Sequence, residues 1–306
     1  MYDLIIIGGG PAAITAGIYA ARKRMKVLLV AKDWGGQVVW APDIDNYTGV
    51  PNVKGMDLVN KMVVQLKENE LEIKEGEEVT EIIKKEDESL EIKTKNSSYS
   101  ANALIMATGR TSKKINAEGE EKFIGKGISY CAICDAPLYR DKIVAVIGGG
   151  NTGVNTALEV AKYASQVYIM GYRPEPPADE YLHHEADKNP KITFYHNTTT
   201  LEFKGDKFIK SFVYLDKNTE EKKELEVDGV FIAIGSIPNS TLLENMVELN
   251  EKKEIKIDCN NTSSVKNIFA AGDVTDVSHK QIIIAAGEGA KAALNAYNYL
   301  NKKKGE

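Results

Sequence analysis

Short apolar runs, glycine turns and amphipathic stretches follow one another at the start of the chain. Residues 3–8, DLIIIG, form an apolar run that predicts a buried strand ending in a turn. Residues 11–24 have helical spacing and open with proline, which is favoured in the first turn of a helix. A second apolar run at 26–31 predicts another buried strand. The first thirty residues therefore predict a strand–helix–strand unit of the nucleotide-binding type.

The same pattern of strand, glycine turn and helix recurs near the middle of the chain. An apolar run at 142–147 leads into three glycines, a helically spaced stretch covers 151–164, and a further apolar run covers 166–170. The two glycine turns lie 140 positions apart, from Gly8 to Gly148. This spacing predicts two nucleotide-binding domains rather than a short-period repeat.

The remaining stretches complete an α/β pattern. Alternating polar and apolar positions over 72–105 predict antiparallel strands attached to the first domain. Two apolar stretches, at 229–239 and 267–276, predict strands followed by glycine, and residues 287–300 predict a final helix.

We therefore predict an α/β fold with two Rossmann-like, three-layer nucleotide-binding domains. The first domain is discontinuous and covers 1–112 plus 242–306. The second domain, 113–241, is inserted into it. A chain of 306 residues is long enough for two such domains. The two crossings near 112 and 242 are the expected hinges of a swivel between the domains.

Composition and charge narrow the class of protein. Hydrophobic residues make up 43% of the chain and charged residues 27%, which is ordinary for a globular enzyme. The net charge of −5 predicts no general affinity for nucleic acid or for an anionic membrane. The apolar run at the N-terminus is too short to span a bilayer and follows no basic leader, so we expect a cytoplasmic protein.

The first glycine turn carries a nucleotide-binding motif. Gly8, Gly10 and Ala13 form G-x-G-x-x-A between the predicted strand and helix. The first glycine permits a tight turn, the second lets backbone N–H groups approach a diphosphate, and the small third residue allows close helix–strand packing. Pro11 and Ala12 lie inside the motif and belong to the same predicted site. The diphosphate then lies at the positive end of the helix.

The cysteines predict redox chemistry. Three cysteines are too few for a secreted disulfide framework, and Cys131 and Cys134 are spaced as CxxC. A helix that begins there would lower the pKa of one thiol. Asp135 can exchange the proton that thiol–disulfide exchange requires, or it can cap the helix. A zinc site would need two further ligands, and no second CxxC accompanies the first, so we expect no metal.

Five separated stretches together resemble the low-molecular-weight thioredoxin reductases. They are, in chain order, GGQ (35–37), DNYTG (45–49), ATG (107–109), GISYCAICD (127–135) and the stretch 268–293, which begins IFAAGDV. The resemblance spans nearly the whole chain, and this ordered set is highly specific. It implies FAD in the first domain, a homodimer, thioredoxin or a thioredoxin-like protein as partner, and a redox disulfide carried by the inserted domain.

The resemblance also implies the roles of individual residues. Cys134 is the sulfur that faces the flavin, and Cys131 is the thiol that attacks the disulfide of the partner. Asp273 follows Gly272 after an apolar strand, a position suited to holding a ribityl hydroxyl. Lys280 stands where arginine is usual, which keeps the charge but loses the two-pronged hydrogen bonding of a guanidinium. Besides the glycine motif and Gly272, the expected FAD contacts are Gly36, Gln37, Asn46, Thr108, Gly109, Asp273, Lys280 and Gln281.

The second glycine turn departs from the pattern of that family. Gly148, Gly150 and Gly153 spell G-x-G-x-x-G, which by itself predicts a bound dinucleotide. The family usually continues with His-Arg-Arg-x-x-x-Arg after the next strand. Here residues 171–177 are GYRPEPP, and of the four basic positions only Arg173 remains. An NADH site would want an acidic residue at the end of that strand, where this chain has glycine.

The missing basic residues decide which electron donor we expect. A charge-assisted hydrogen bond to phosphate contributes about 1.5–3 kcal/mol. Losing two such partners weakens binding of a 2′-phosphate by about two to four powers of ten, because each power of ten corresponds to about 1.4 kcal/mol. Glu175 and Asp179 add like-charge repulsion, and the prolines stiffen the turn. We therefore expect that NADPH is not the working donor.

The departures resemble the pyridine-nucleotide-independent thioredoxin reductases, in which reduced ferredoxin supplies electrons one at a time to FAD. A flavin suits this role because it accepts single electrons and passes a pair to a disulfide. Ferredoxins are typically acidic, so a basic docking face is expected. The candidates are residues 21–26, ARKRMK, and the pair Lys113 and Lys114.

Four alternatives remain open. One is an NAD(P)H-dependent thioredoxin reductase with a divergent nucleotide site, and another places a second FAD or a different adenine nucleotide in that site. A ferredoxin/NADP⁺-type oxidoreductase built on the same two folds would not need the CxxC pair. A non-enzymatic redox sensor would bind FAD without turnover.

Overall fold

The structure, a computed structural model, describes residues 1–41, 44–175 and 177–305. The chain divides into two compact units. The first consists of Met1–Val39, Tyr47–Thr111 and Ile237–Glu306, and the second of Trp40–Asn46 and Ser112–Ser236. The predicted α/β fold with two Rossmann-like sheets is confirmed. The predicted boundaries of an FAD-binding domain and an inserted domain stay a prediction.

Strands and α-helices alternate in 1–75 and in 110–195, whereas 72–112 and 192–270 contain successive strands with no α-helix between them. In chain order the strands are β1 (Tyr2–Ile7), β2 (Val27–Ala31), β3 (Glu72–Glu75), β4 (Val79–Lys84), β5 (Leu90–Thr94), β6 (Ser98–Met106), β7 (Arg110–Ser112), β8 (Ile128–Ser129), β9 (Ile143–Ile147), β10 (Gln166–Met170), β11 (Ile192–Tyr195), β12 (Thr198–Gly205), β13 (Ile209–Asp216), β14 (Glu221–Glu226), β15 (Gly229–Ile232), β16 (Ser236–Pro238) and β17 (Ile268–Ala270). The α-helices are α1 (Pro11–Arg22), α2 (Gly55–Lys67), α3 (Glu120–Phe123), α4 (Ala132–Asp135), α5 (Asn151–Ala161), α6 (Glu180–Asp187) and α7 (Ile282–Gly305). Short 3₁₀ helices cover Gly36–Trp40, Ala136–Tyr139, Thr241–Leu243 and Gly272–Val274.

The first unit is built on a seven-stranded sheet in the order β3-β2-β1-β6-β5-β4, with β17 paired to β6. Parallel pairing runs from β3 through β2 and β1 to β6, and β17 also pairs parallel with β6. By contrast, β5 pairs antiparallel with both β4 and β6. Every residue of β2 is buried, which explains its continuous apolar run. On β5 buried and half-buried residues alternate, as expected of an antiparallel strand. The antiparallel prediction for 72–105 is wrong at its start, where β3 pairs parallel with β2.

The second unit contains a five-stranded parallel sheet in the order β11-β10-β9-β15-β8 and a three-stranded antiparallel sheet, β12-β13-β14. Helix α5 packs on β9 and β10. Because these strands are parallel, their carboxyl ends meet at one edge of the sheet. The second glycine turn follows β9 at that edge, and Gly171 follows β10.

The last helix begins earlier than its sequence pattern indicates. The predicted stretch, 287–300, lies inside α7, which starts at Ile282. The first three residues of α7 are isoleucines, which favour strands, so local propensity conceals the start of the helix. Packing against α1 overrides it: a Cβ on Gly289 would lie 2.0 Å from the carbonyl oxygen of Ala12, so the two helices are in close contact.

No helix in the described part of the chain is long and apolar enough to cross a membrane.

Candidate functional site

The first glycine turn lies between the ends of three strands of the first unit. Gly8 has φ +131°, and a Cβ there would lie 2.3 Å from the carbonyl oxygen of Ala107. A Cβ on Gly9 would lie 1.9 Å from the carbonyl oxygen of Asp33. By contrast, a Cβ on Gly10 would meet no atom of the described residues within 4 Å. The backbone at Gly10 therefore faces open space, as the approach of a diphosphate requires.

The start of α1 is suited to a bound anion. The helix begins at Pro11, its N-cap is Gly10, and none of the side chains that the structure describes caps it. Its first turn contains no acidic residue, and Ala12 and Ala13 are buried. The N–H groups at this end and the positive end of the helix dipole therefore remain available to a phosphate.

Two predicted FAD contacts are held in place by hydrogen bonds within the first unit. The Nε2 of Gln37, in the 3₁₀ helix that begins at Gly36, donates to the carbonyl oxygen of Arg110 at 2.8 Å. The hydroxyl of Thr108 donates to the carbonyl oxygen of Asn239 at 2.7 Å. The N–H of Asn239 donates in turn to the carbonyl oxygen of Gly109 at 3.0 Å. The loop after β6 is thereby fixed beside the segment that carries Asn239, a residue that sequence reasoning missed.

Asp273 follows Gly272, which lies close to the start of α1: a Cβ on Gly272 would lie 3.0 Å from Cβ of Ala12. Gly272 has φ +77° and donates its N–H to the buried carboxylate of Glu288 at 2.9 Å. Burial raises the pKa of Asp273, and the charges of Lys280 and Arg110 act in the opposite direction. Both cations are paired with Glu254, and Asp273 forms no ion pair within 1–41, 44–175 and 177–305. A half-buried carboxylate of this kind is suited to accepting a hydrogen bond from a hydroxyl.

A buried carboxylate joins the two cations nearest to Asp273. Glu254 accepts from Nη1 of Arg110 at 2.5 Å and lies 3.3 Å from Nζ of Lys280. Lys280 also donates to the carbonyl oxygen of Thr275 at 2.5 Å. Burial acts to raise the pKa of Glu254, but the hydrogen bond from Asn250 and the two cations hold it below its ordinary value. No local sequence pattern indicates this cluster, because Arg110 and Glu254 lie 144 positions apart.

Two further predicted FAD contacts have different surroundings. Gln281 lies directly before α7, and its carbonyl oxygen accepts from the N–H of Ala285 at 2.9 Å. Asn46 is exposed and belongs to Trp40–Asn46, the segment grouped with the second unit. Asn46 is therefore not among the residues that the first unit brings together, and its contact with FAD stays a prediction.

The CxxC pair forms a disulfide at the start of a helix in the second unit. Cys131 is the N-cap of α4, and its Sγ accepts from the N–H of Cys134 at 3.3 Å. The predicted helix is therefore confirmed, although it has a single turn. An N–H directed at this sulfur stabilises negative charge on it.

Asp135 is buried beside the disulfide, with 6% of its surface exposed. Its Oδ2 accepts from the hydroxyl of Ser129 at 2.5 Å, and the oxygen of Ser129 accepts from the N–H of Cys131 at 3.0 Å. Ser129, which sequence reasoning missed, thus connects the carboxyl group to the backbone of the reactive cysteine. The carboxylate is not the cap of α4, because that role belongs to Cys131. Burial and the charge of Asp135 both raise the pKa of Tyr139.

The described residues include no group of three or more His, Cys, Asp and Glu side chains arranged to hold a metal ion. Cys259 is exposed and is not in a disulfide.

The second glycine turn has nearly the backbone of the first. Gly148 has φ +139°, and a Cβ there would lie 2.5 Å from the carbonyl oxygen of Ala233. A Cβ on Gly153 would lie 1.9 Å from the carbonyl oxygen of Gly148, so only glycine fits. The turn therefore has the close helix–strand packing that the G-x-G-x-x-G pattern predicts.

The chain itself covers this second turn. A Cβ on Gly150 would lie 3.9 Å from Cγ of Pro177, and one on Gly149 would lie 3.8 Å from Cδ of the same ring. Asn151, the first residue of α5, is linked to Asp179 by two hydrogen bonds: its Nδ2 donates to Oδ2 at 2.9 Å, and its Oδ1 accepts from the N–H at 2.7 Å. Pro176, one of the three prolines in the predicted turn, lies outside the described residues.

An aromatic stack that the sequence did not indicate lies at the same edge of this sheet. The rings of His183 and Phe194 stack with centroids 4.5 Å apart, and Phe194 stacks on His196 at 5.4 Å. Burial lowers the pKa of His196. His183 is half-buried in this stack rather than a surface residue, because α6 turns its ring towards β11.

Comparisons with known proteins identify the family to which the chain belongs. Its sequence matches the pyridine nucleotide-disulphide oxidoreductase family over residues 2–289. The chain belongs to this family. It is 40% identical over 300 residues to a component of the alkyl hydroperoxide reductase of Staphylococcus aureus (strain MSSA476), covering 98% of this chain and 59% of that protein. The chain thus spans about three fifths of the length of the curated relatives it matches.

Solved structures of similar fold support the same family assignment. The thioredoxin reductase of Streptococcus pyogenes MGAS5005 has a TM-score of 0.94 at 32% identity, covering 99% of each chain. The thioredoxin reductase of Giardia duodenalis has a TM-score of 0.90 at 30% identity, covering 98% of this chain and 99% of that one. The thioredoxin reductase members of the family are flavoproteins, and FAD is the cofactor of this chain. The open turn at Gly10, the uncapped start of α1 and the half-buried Asp273 fit that cofactor.

Proposed function

We propose that the chain is an FAD-dependent disulfide reductase that reduces thioredoxin or a thioredoxin-like protein, with electrons supplied by reduced ferredoxin. The observation that carries the reductase assignment is the Cys131–Cys134 disulfide, connected through Ser129 to the buried carboxyl group of Asp135. When FAD is bound, it supplies the electron transfer that reduces this disulfide. The residues that hold it are the first glycine motif and the predicted contacts in the first unit.

We propose a task for each sulfur of the disulfide. Once the disulfide is reduced, the N–H of Cys134 stabilises negative charge on the sulfur of Cys131. Its sulfur attacks one sulfur of the partner's disulfide, and the other partner sulfur leaves and takes up a proton. The sulfur of Cys134 then attacks Cys131, which re-forms the internal disulfide and releases the second partner thiol. Asp135 exchanges the protons that these steps require.

Exposed apolar side chains beside the disulfide support a protein partner. Ile133, between the two cysteines, has 64% of its surface exposed, and Leu138, after the helix, has 41% exposed. Pro137 is exposed as well. Apolar side chains grouped in this way are typical of a protein-binding surface and bring no advantage to a reductase of small disulfides.

The covered second turn supports ferredoxin over a pyridine nucleotide. Pro177 lies against Gly150, where a dinucleotide would place its diphosphate. In GYRPEPP, the sequence that follows β10, the one basic residue is Arg173, and its side chain is exposed. The pyridine nucleotide that the family description names therefore does not fit the second unit as it stands. We derive no electron transfer through it.

The two candidate basic surfaces do not support direct delivery of electrons. Residues 21–26 lie at the C-terminal end of α1, whereas the glycine turn lies at its start. Twelve residues of helix separate them by about 18 Å. Lys114 is paired with Glu121 at 2.5 Å. We therefore propose that ferredoxin docks on another surface.

The wider assembly follows the same resemblance. We propose a cytoplasmic homodimer with an FAD-binding domain at 1–112 plus 242–306 and an inserted domain at 113–241. A swivel at the two crossings would let the disulfide alternate between the flavin and the partner protein.

A second candidate function is an NAD(P)H-dependent thioredoxin reductase with a divergent nucleotide site. The intact backbone of the second turn at Gly148 and Gly153 favours it. It differs from the first proposal in one respect that can be measured: a pyridine nucleotide would reduce its flavin.

The proposal is tested by coupled turnover of the purified, FAD-loaded protein without oxygen. Reduced ferredoxin and oxidised thioredoxin are added, and thiol formation is followed over time. We expect multiple turnovers with the native protein and none with Cys131→Ser. Thiol formation that needs NADPH, or that continues in Cys131→Ser, contradicts the proposal.

A further inference from the structure

The segment that covers the second glycine turn is anchored at both of its ends. We call this segment, residues 172–179, the strap; Pro176 within it lies outside the described residues. At its start, Nζ of Lys217 donates to the carbonyl oxygen of Tyr172 at 3.0 Å, and the N–H of Asn197 donates to that of Arg173 at 2.9 Å. At its end, Asp179 is bound to Asn151.

We propose that the strap is a specificity element that excludes dinucleotides from the second unit. The inference rests on the proposed function, because it explains how a family member keeps the glycine turn and does not use a pyridine nucleotide. Loss of basic residues alone would weaken NADPH binding and leave NADH little affected. The strap acts against NADPH and NADH alike, because it blocks the position of the diphosphate that the two nucleotides share.

The position of Pro177 provides the steric part of this exclusion. A single methyl group on Gly150 would already touch the proline ring, at 3.9 Å. A phosphate group is larger than a methyl group, so it does not fit between the turn and the ring. At Gly10, the matching position of the first turn, no described atom lies within 4 Å of such a methyl group.

Asp179 provides the electrostatic part. It is the N-cap of α6, a position where an aspartate ordinarily accepts hydrogen bonds from the first turn of its own helix. Among the described residues it makes no such bond, and its carboxylate is bound instead to the side chain of Asn151, at the start of α5. A negative charge is thereby placed beside the positive end of the helix that would hold a diphosphate.

The test removes the two parts separately and together. The variants are Pro177→Gly, Asn151→Ala and the double variant, with Asp179→Asn to remove the charge while its oxygen can still accept a hydrogen bond. The matched control is Gln166→Ala, which loses a side-chain hydrogen bond of 2.9 Å to Thr193 at the opposite edge of the same sheet. Each FAD-loaded protein is titrated with NADH by calorimetry.

We expect the dissociation constant for NADH to fall by at least about tenfold in the double variant, and by less in each single variant. Gln166→Ala should behave as the native protein. NADPH should gain less than NADH, since the strap variants add no basic residue. If the double variant keeps its FAD and binds NADH no more tightly than the native protein, the inference is wrong.

The test separates this inference from the proposed function. A double variant that gains no NADH affinity overturns the role of the strap and leaves ferredoxin-driven turnover untouched. If the double variant does not fold, Pro177→Gly and Asp179→Asn decide, because an unchanged affinity for NADH in both of these variants also overturns the inference. Tight NADH binding and flavin reduction in the native protein would instead overturn both.

Discussion

Two glycine turns with nearly the same backbone occur in this chain, one after β1 and one after β9. Gly8 and Gly148 have φ values of +131° and +139°, and a Cβ on either would collide with a carbonyl oxygen of a neighbouring strand end. At the next glycine of the motif the two turns differ. The backbone at Gly10 faces open space, and that at Gly150 faces the ring of Pro177.

The difference between the two turns shows that a glycine motif can keep its backbone conformation while its surroundings change. The small residues at the first and last positions, Gly8 and Ala13 in one turn and Gly148 and Gly153 in the other, are required by the packing of strand and helix, with or without a ligand. Whether a ligand binds depends on what the chain places in front of the middle glycine. At the first turn no described atom lies within 4 Å of a Cβ at this position, and at the second the ring of Pro177 lies 3.9 Å from it. We propose that this difference leaves the first turn open to FAD and closes the second to a dinucleotide.

The largest effect is expected from the disulfide itself. Cys131→Ser removes the sulfur that attacks the partner, so thioredoxin reduction should fall below detection. FAD content should stay unchanged, because the residue belongs to the second unit and the glycine turn to the first. Thiol release and the visible absorbance of the flavin measure the two quantities. Loss of FAD in this variant would show that FAD binding by the first unit depends on the disulfide of the second unit.

Asp135→Asn should have the next largest effect. The amide keeps the size of the buried side chain but cannot exchange a proton, so kcat should fall by about 10²- to 10⁴-fold. The milder change Ser129→Ala leaves the carboxyl group in place and removes its link to Cys131. It should lower kcat less and shift the pH profile of turnover. Equal losses in the two variants would contradict a proton-exchange role for Asp135.

A matched pair of substitutions compares the two turns directly. Gly10 and Gly150 both have extended backbones, with φ of −81° and −88°, so alanine is tolerated at both. Gly10→Ala intrudes on the diphosphate and should weaken FAD binding by about 10- to 100-fold, the loss of about one charge-assisted hydrogen bond. Gly150→Ala meets only Pro177 among the described residues, at ordinary contact distance, and should leave FAD content and turnover unchanged. A loss of ferredoxin-driven turnover in Gly150→Ala would show that the second turn is in use.

Most of the first site was predictable from the order of residues. Strand, glycine turn and helix predicted the conformation at Gly8, because no other residue tolerates that φ beside a neighbouring strand. The disulfide followed from the CxxC spacing in the same way. These features depend on residues close together in the sequence.

The contacts that distinguish the second site were not predictable. Asn151 and Asp179 are 28 positions apart and meet because β10 returns the chain to the same edge of the sheet. The prolines indicated a stiff turn, and only the fold shows that the turn lies on Gly150. Glu254 and Arg110 are 144 positions apart, and neither carries a local pattern that predicts an ion pair.

A smaller effect is expected from the ion cluster of the first unit. The pKa of Glu254 is lowered in the folded protein, so its carboxylate stabilises the fold above the unfolded pKa of about 4.3 and loses this contribution as the pH falls through the folded value. The native protein should therefore exceed Glu254→Gln in free energy of unfolding by a constant amount between pH 7 and about pH 5, and by less below. Denaturant unfolding at several pH values measures this difference. A difference in free energy of unfolding that grows as the pH falls would contradict the lowered pKa of Glu254.

The smallest effect is expected from the basic stretch at the end of α1. The double variant Arg22→Glu/Arg24→Glu reverses two charges about 18 Å from the glycine turn. Ferredoxin-driven turnover should stay within about twofold of the native rate at physiological salt, because screening limits the reach of exposed charges to about 8 Å. A much larger loss would place the docking surface there after all.

We propose that the second glycine turn does not admit a pyridine nucleotide. This proposal is tested most directly by adding NADPH, and then NADH, to the native FAD-loaded protein without oxygen, and following the absorbance of the flavin. The flavin should stay oxidised with both nucleotides and become reduced when reduced ferredoxin is added. Bleaching of the flavin by either nucleotide at micromolar concentration would contradict the account.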